Sequence, residues 1–384
     1  MDYFYFFFHL AFNMLSPHGV ATFITTNYYP TALGARRLRA DIKDRMSIKT
    51  LFNLGELRLF ENAPGQHNMI SSFAKGKDGC KCQVIDVHKK GALNPIMFTS
   101  IINHIDEDTT YADVAQEDLY DGEENYIRLQ NSSSDNPLSS LLDKIQLGNN
   151  TLGNIAEVNA GIMGGCDSIT NHNMKYADAD YIQCLIQNYP FYKDFYKNSD
   201  ISRYCTNEAT TKRLIFSSSD TPLSEQEIIK SCLSIYQPIL TKIREINNEK
   251  TEYWHQLRRG TAHPHIFMCA KIVCPQRSKT NTFGYNECHW YASADVYYIT
   301  NPNKDYHIKY ILGLLNSKLY YVWLYNKGKR KGETLELYQK PLSEIPIKKA
   351  SPDAQNSIVK IVNEIIALKK SNPNHDTSSL ERQI

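Results

Sequence analysis

The chain has 384 residues, of which 42% are hydrophobic and 22% charged, with a formal net charge of +2 at pH 7. That length predicts two domains, and the near-neutral balance excludes a uniformly basic nucleic-acid coat, leaving any such binding to local patches. Nine cysteines, at 80, 82, 166, 184, 205, 232, 269, 274 and 288, form an odd set with no secretory signal before it, which argues for free thiols in a reduced, cytoplasmic protein. Cys80-x-Cys82 and the Cys269, Cys274 pair lack paired CxxC spacing, so no metal site is expected.

Residues 3–15 (YFYFFFHLAFNML) are apolar almost all round, so as a helix they call for burial on most sides, and since this chain does not obviously supply the neighbours, Tyr3, Phe4, Phe6, Phe7 and Phe8 are expected to lie partly uncovered. The run is too short to span a bilayer, has no basic flank and is interrupted by His9 and Asn13, so neither a signal peptide nor a membrane anchor is expected. Ser16-Pro17-His18-Gly19 stops it. Short strands are expected at 20–25 and 48–54, with a helix between them at 33–46 that carries Leu38 and Ile42 at helical spacing. The stretch 55–63 is a loop bearing one conspicuous aromatic, Phe60. A further strand at 69–73, a hairpin turn at 74–79 and a strand at 82–87 follow. Helices alternating with short apolar strands indicate an α/β layer.

Residues 99–149 are less regular, acidic near 106–108 and 121–124, with a Ser-rich loop at 131–137 and a short helix at 138–145. The pattern changes from Leu152. A glycine cluster (Gly161, Gly164, Gly165), a period-two strand at 292–299, a helix at 310–317 and an amphipathic helix at 356–370 follow in turn.

The order of Asp2-Tyr3-Phe4-x-x-Phe7, Leu15-x-Pro17-x-Gly19, Phe23-Ile24-Thr25, Leu38-Arg39 and Gly55-Glu56-x-x-x-Phe60 resembles the second half of the catalytic domain of adenine-specific DNA methyltransferases. The group it most resembles is the TaqI-like enzymes and the fused type IIG restriction-modification proteins. The series running from Leu152-Gly153 through Lys271–Ser278 and Leu315-Asn316-Ser317 to Pro341–Ile347 resembles the C-terminal target-recognition domain of the same family. The resemblance covers about 1–98 and 150–350. It implies a partial Rossmann-like methyltransferase sheet over 1–98, a bridging segment over 99–149 and a mixed α/β DNA-recognition domain over 150–384.

Two parts of the family pattern are missing. The sequence has no Asn-Pro-Pro-Tyr tetrapeptide, and no glycine-rich turn after a first strand; the 161–165 cluster reads better as a turn of the recognition domain. The resemblance therefore implies S-adenosylmethionine as cofactor of the complete enzyme, with none bound by this chain alone. It also implies an upstream polypeptide that carries the other catalytic half. The rival reading is a non-catalytic specificity subunit or a decayed gene fragment.

By the resemblance, Phe60 holds the place of the aromatic that stacks on the flipped adenine, and Asp2 and Phe7 stand near the cofactor. Each has an ordinary alternative in helix or core packing. For double-stranded DNA, the cationic run Lys327, Lys329, Arg330 and Lys331 supplies phosphate donors. Gln276 and Arg277, with Lys279 beside them, are side chains able to pair with adenine and guanine edges. Arg203, Arg258 and Arg259 complete the set, although a charge run is ordinarily a solvated face.

Overall fold

The N-terminal apolar run folds as α1 (Phe4–Met14), followed by β1 (Val20–Thr26), α2 (Arg36–Arg45), β2 (Met46–Asn53), β3 (Glu56–Arg58), β4 (Asn68–Lys75), β5 (Cys82–Val87), β6 (Lys90–Ala92), α3 (Pro95–Ile102) and β7 (Thr109–Val114). The computed structural model describes residues 2–62, 66–129, 137–164, 171–173, 189–331 and 334–384. The chain divides into two compact units, Met1–Lys144 and Ile145–Ile384. The Ser-rich loop at 131–136, Gly165 of the glycine cluster, Cys166 and Cys184 lie outside the described residues. The seven cysteines within them are free thiols. Among the described residues no helix is long and apolar enough to cross a membrane, and no cluster of His, Cys, Asp and Glu is suited to hold a metal.

The N-terminal unit is built on a five-stranded sheet in the order β1-β4-β2-β5-β7. Its one parallel pair is β2 with β5; β1–β4, β2–β4 and β5–β7 run antiparallel. Aromatic side chains hold α1 against it. Phe8 stacks on Phe23 with ring centroids 4.2 Å apart and meets Phe73 edge-on at 5.6 Å. Leu38 and Ile42 of α2 join the same core.

Three expectations are corrected here. First, Tyr3, Phe6 and Phe7 are exposed as expected, with Leu10 and Met14, but Phe8, expected to lie partly uncovered with them, is buried together with Tyr5 and Phe12. With His9 and Asn13 as its polar interruptions, α1 has no continuous polar stripe to mark its outer face, so sequence alone does not choose which side meets the sheet. Second, β4 and β5 are not a hairpin, because β2 lies between them. The connecting turn wraps over the start of β2: Gly76 N–H donates to the Arg45 carbonyl at 2.9 Å and Ser47 Oγ to the Gly76 carbonyl at 2.8 Å. Third, the segment expected as a bridge contributes to the fold of this unit. β7 is an edge strand of the sheet, and Leu119 and Ile127 enter the same core as Phe8 and Phe73.

The C-terminal unit has a four-stranded antiparallel sheet in the order Glu157–Ala160, Val296–Thr300, Lys271–Pro275, Gly284–Asn286. The strand expected at 292–299 begins at Val296 and is buried at all five positions, as befits a central strand covered on both faces. Trp290 is wholly buried, stacks on Tyr196 at 4.8 Å and donates its indole N–H to the Asn207 carbonyl at 2.9 Å. The helix Ile308–Asn316 packs on the long helix Pro352–Ser371 through Gly313. A Cβ there would lie 2.9 Å from Ile358 Cγ2 and 3.0 Å from Val362 Cγ2, so only glycine permits this approach.

Candidate nucleic-acid interface

The basic residues at 277 and at 329–331, distant in sequence, meet in one small sheet. Strand Arg277–Ser278 pairs antiparallel with Thr334–Glu336, which pairs in turn with Arg330–Lys331. Arg277 stands directly opposite Glu336. Side chains opposite one another in an antiparallel pair are close enough to interact, and here they form an ion-paired cluster. Arg277 Nε lies 3.4 Å from Glu336 Oε1, and Lys329 Nζ lies 3.0 Å from Glu336 Oε2. Arg277 Nη2 donates to the Tyr338 hydroxyl at 2.9 Å, and the Lys329 ammonium sits 4.9 Å from the Tyr338 ring centroid. Arg330 lies flat on Tyr325, its guanidinium carbon 3.9 Å from the ring centre.

Glu336 is the member that sequence reasoning missed. Its side chain is 9% exposed between two cations. The Glu336-Leu337-Tyr338 triplet gives no local sign of this, since the pairing is set by strand register. The cationic run 327–331 is half-buried and ends in a paired strand; Lys327 N–H closes the preceding helix on the Trp323 carbonyl at 2.7 Å.

The other proposed cations divide by their partners. Arg203 is a strut of the fold: Nη1 donates to Asn281 at 3.0 Å, and Nη2 donates to the Asn316 carbonyl at 2.6 Å and pairs with Glu381. Arg258 is spent on Glu249, with Nε at 2.9 Å and Nη2 at 2.7 Å, and only 10% of its side chain is exposed. That guanidinium holds the Glu249 carboxyl below its ordinary range. Both were expected as DNA contacts, and their internal hydrogen bonds place them in the scaffold instead. The Gln276 side chain is half-buried beside Tyr297. Arg259 and Lys279 are exposed.

In the N-terminal unit Phe60 is 47% exposed on the loop that follows β3; Ala63, at the end of the expected loop, lies outside the described residues. The stems of this loop are fixed. Asn53 Oδ1 accepts from Asn27 Nδ2 at 2.9 Å and from Gly55 N–H at 3.3 Å, while Asn53 Nδ2 donates to Asp86 at 2.7 Å. His67 Nδ1 donates to the Gly55 carbonyl at 2.8 Å. Gly55 has φ +55°, and a Cβ there would lie 2.5 Å from the Val87 carbonyl oxygen, so no other residue fits. Two buried polar atoms at this end of the sheet, Thr26 Oγ1 and Asn68 Nδ2, have no partner among the described residues. Their residues face each other across the β1–β4 pair.

Comparison with known proteins places this geometry. Residues 227–347 match the TaqI-like C-terminal specificity domain. The chain is homologous to restriction-modification methyltransferases. It is 21% identical over 369 residues to the type II methyltransferase M.HindII of Haemophilus influenzae, covering 91% of this chain and 67% of that protein. It is 27% identical over 245 residues to the type II methyltransferase M.MjaIV of Methanocaldococcus jannaschii, covering 61% of this chain and 78% of that one. The structure of the type IIL restriction-modification enzyme MmeI, solved in complex with DNA, superposes with a TM-score of 0.60 at 13% identity. That likeness extends over 98% of this chain but 45% of MmeI. It shows a shared fold, and the chain spans less than half of that enzyme's length.

The specificity domain includes the whole Arg277–Glu336–Lys329 cluster, Arg330 and its Tyr325 platform, Arg259 and Lys279; Arg203 and Phe60 lie outside the matched residues. The methyltransferase relatives raise the question of a methyl-donor site. Asp2 and Phe7, the residues expected beside S-adenosylmethionine, are exposed at the start of α1. These two side chains on open surface do not enclose a cofactor, so they do not fit that role within this chain by itself.

Proposed function

We propose that this chain supplies DNA recognition and the base-stacking side of the active site to a site-specific adenine DNA methyltransferase of a restriction-modification or phage-defence system. S-adenosylmethionine is the methyl donor of the complete enzyme. The observation that carries the reading is the convergence of two separate basic segments into one sheet inside the specificity domain. Arg277 is the base reader of that sheet, and Lys329, Arg330 and Lys331 serve phosphates. Phe60, exposed on a loop with fixed stems, is the stacking aromatic. The partner is an upstream polypeptide carrying a glycine-rich cofactor turn and the Asn-Pro-Pro-Tyr loop. It covers the exposed face of α1 and continues the sheet from the edge strand β1, where Val20 and Ile24 are also exposed. An apolar surface of this kind marks an interface.

Duplex binding by the full chain, measured at several salt concentrations, tests the reading. Replacing Lys329, Arg330 and Lys331 by Ala is expected to weaken binding to all sequences alike. The salt slope should shrink by roughly one unit for each phosphate the protein no longer neutralises. The chain alone is expected to transfer no labelled methyl group, and mixing with the upstream half is expected to restore transfer. Unchanged duplex binding by the triple variant, or turnover by the purified chain, overturns the corresponding part.

A further inference from the structure

Glu336 presents a physical puzzle. A carboxylate in a surface that binds phosphates lowers affinity, yet this one is nearly buried at the centre of the basic sheet. Its surroundings resolve the puzzle. Arg277 has five N–H donors in a rigid fork. Glu336 approaches the Nε side at 3.4 Å, and the Tyr338 hydroxyl takes one Nη2 hydrogen at 2.9 Å. The Tyr338 hydroxyl itself lies 3.5 Å from Glu336 Oε1, so the acid and the phenol hold the guanidinium from the same side. The Nη1 end has no partner among the described residues. An arginine held in this way keeps one N–H edge in a fixed direction, as reading the O6 and N7 acceptors of guanine requires. The second carboxylate oxygen is occupied by Lys329, so no lone acidic group is presented to DNA.

We infer that Glu336, with Tyr338, is a positioning residue that orients Arg277 toward a guanine edge and so sets the sequence preference of the specificity domain. This rests on the DNA-recognition reading above. It makes a prediction that a purely electrostatic role does not. Removing the negative charge should tighten binding to arbitrary DNA and at the same time loosen discrimination.

The experiment selects duplexes from a randomised pool with the full chain at fixed salt. The parent is expected to enrich a motif containing a preferred guanine, and Arg277→Ala is expected to lose that one preference. Glu336→Gln, nearly identical in shape, should lower the same preference by roughly five- to a hundred-fold, while its affinity for the unselected pool rises about two-fold. Tyr338→Phe carries no charge change. It should weaken the preference at the same position without the gain in pool affinity expected of Glu336→Gln, and it serves equally well if Glu336→Gln folds poorly.

A Glu336→Gln variant that gains affinity for every sequence with its guanine preference intact overturns the positioning role and leaves DNA recognition standing. A parent and an Arg277→Ala variant that enrich the same motif overturn it too, because Arg277 then reads nothing. Failure of the parent to bind the pool at all removes the DNA reading and this inference together.

Discussion

The two units carry opposite kinds of unfinished surface. The N-terminal unit leaves apolar side chains uncovered: five large residues of the first helical segment and two of β1 face outward, beside a sheet edge with no neighbouring strand among the described residues. The C-terminal unit leaves polar groups at its surface, but they are already organised by one another, as the Arg277, Lys329 and Glu336 cluster illustrates. Burying apolar surface needs only a complementary apolar body and tolerates approximate fit. Reading a base edge needs donors fixed before DNA arrives. Under the proposed function the first surface suits assembly with a protein, and the second a partner that must be discriminated.

The comparison is most easily broken on α1. Phe8 is fully buried and Phe7 is 63% exposed. Phe8→Ala is expected to destabilise the N-terminal unit by about 3–5 kcal/mol, and Phe7→Ala by less than about 0.5 kcal/mol. Urea unfolding followed by hydrogen exchange in peptides of that unit measures both. Equal destabilisation would mean that the outward face is already covered in solution. With the upstream half present, the order should reverse for association: Phe7→Ala then weakens binding by roughly ten-fold or more.

A smaller effect tests whether the C-terminal unit is held by its own charges. Arg258→Ala removes the two-point partner of Glu249 and leaves Arg244 Nη1, at 3.3 Å, as its remaining cation; with that carboxylate 23% exposed, the cost is about 1–2 kcal/mol. The pH dependence has a definite sign. Arg258 depresses the folded pKa of Glu249, so this stabilisation is present above the unfolded value, about 4.3. It is lost as pH falls through the lower folded value. Thermal melts between neutral and acidic pH should show a shallower acid decline in the variant. A parent and a variant with parallel acid profiles would show that the pair contributes nothing.

The smallest stability effect belongs to Phe60. Its exposure means that Phe60→Ala should leave unfolding unchanged. In the assembled enzyme it should reduce stabilisation of an extrahelical base by roughly 1–3 kcal/mol. Fluorescence of 2-aminopurine at the target position reports this. A loss of thermal stability in place of the fluorescence change would return Phe60 to ordinary core packing.

Much of this architecture was legible in the residues. The β-branched runs marked β1, β2, β4 and β5 within two residues, and Leu38 with Ile42 marked the inner face of α2. What sequence could not supply was pairing. The Gly76–Gly79 turn says where the chain leaves β4, not that β2 will stand between it and β5. Thr109–Val114 was missed because an edge strand alternating weakly between polar and apolar residues looks like a loop. At the interface, Arg277 and the 329–331 run were recognisable as separate basic segments, whereas their common acid was not. Nor does basicity distinguish an exposed arginine from a strut of the fold. Arg203, Arg258 and Arg277 all have carboxylate partners, and what separates them is exposure: 30% and 10% of the side chain against 51% for Arg277.

The small sheet that carries Arg277 is attached in a modest way. Its outer hairpin meets the Arg277 strand through two residue pairs, Arg277 with Glu336 and Ser278 with Leu335, and of its residues Leu335 is wholly buried. Leu335 and Glu336 are buried, whereas Arg330, Lys331 and Thr334 are half-buried, so sequence change is cheapest at these three outer positions. Under the proposed function, exchange of residues 329–338 between relatives moves the sequence preference while the strands Lys271–Pro275 and Val296–Thr300 stay as they are.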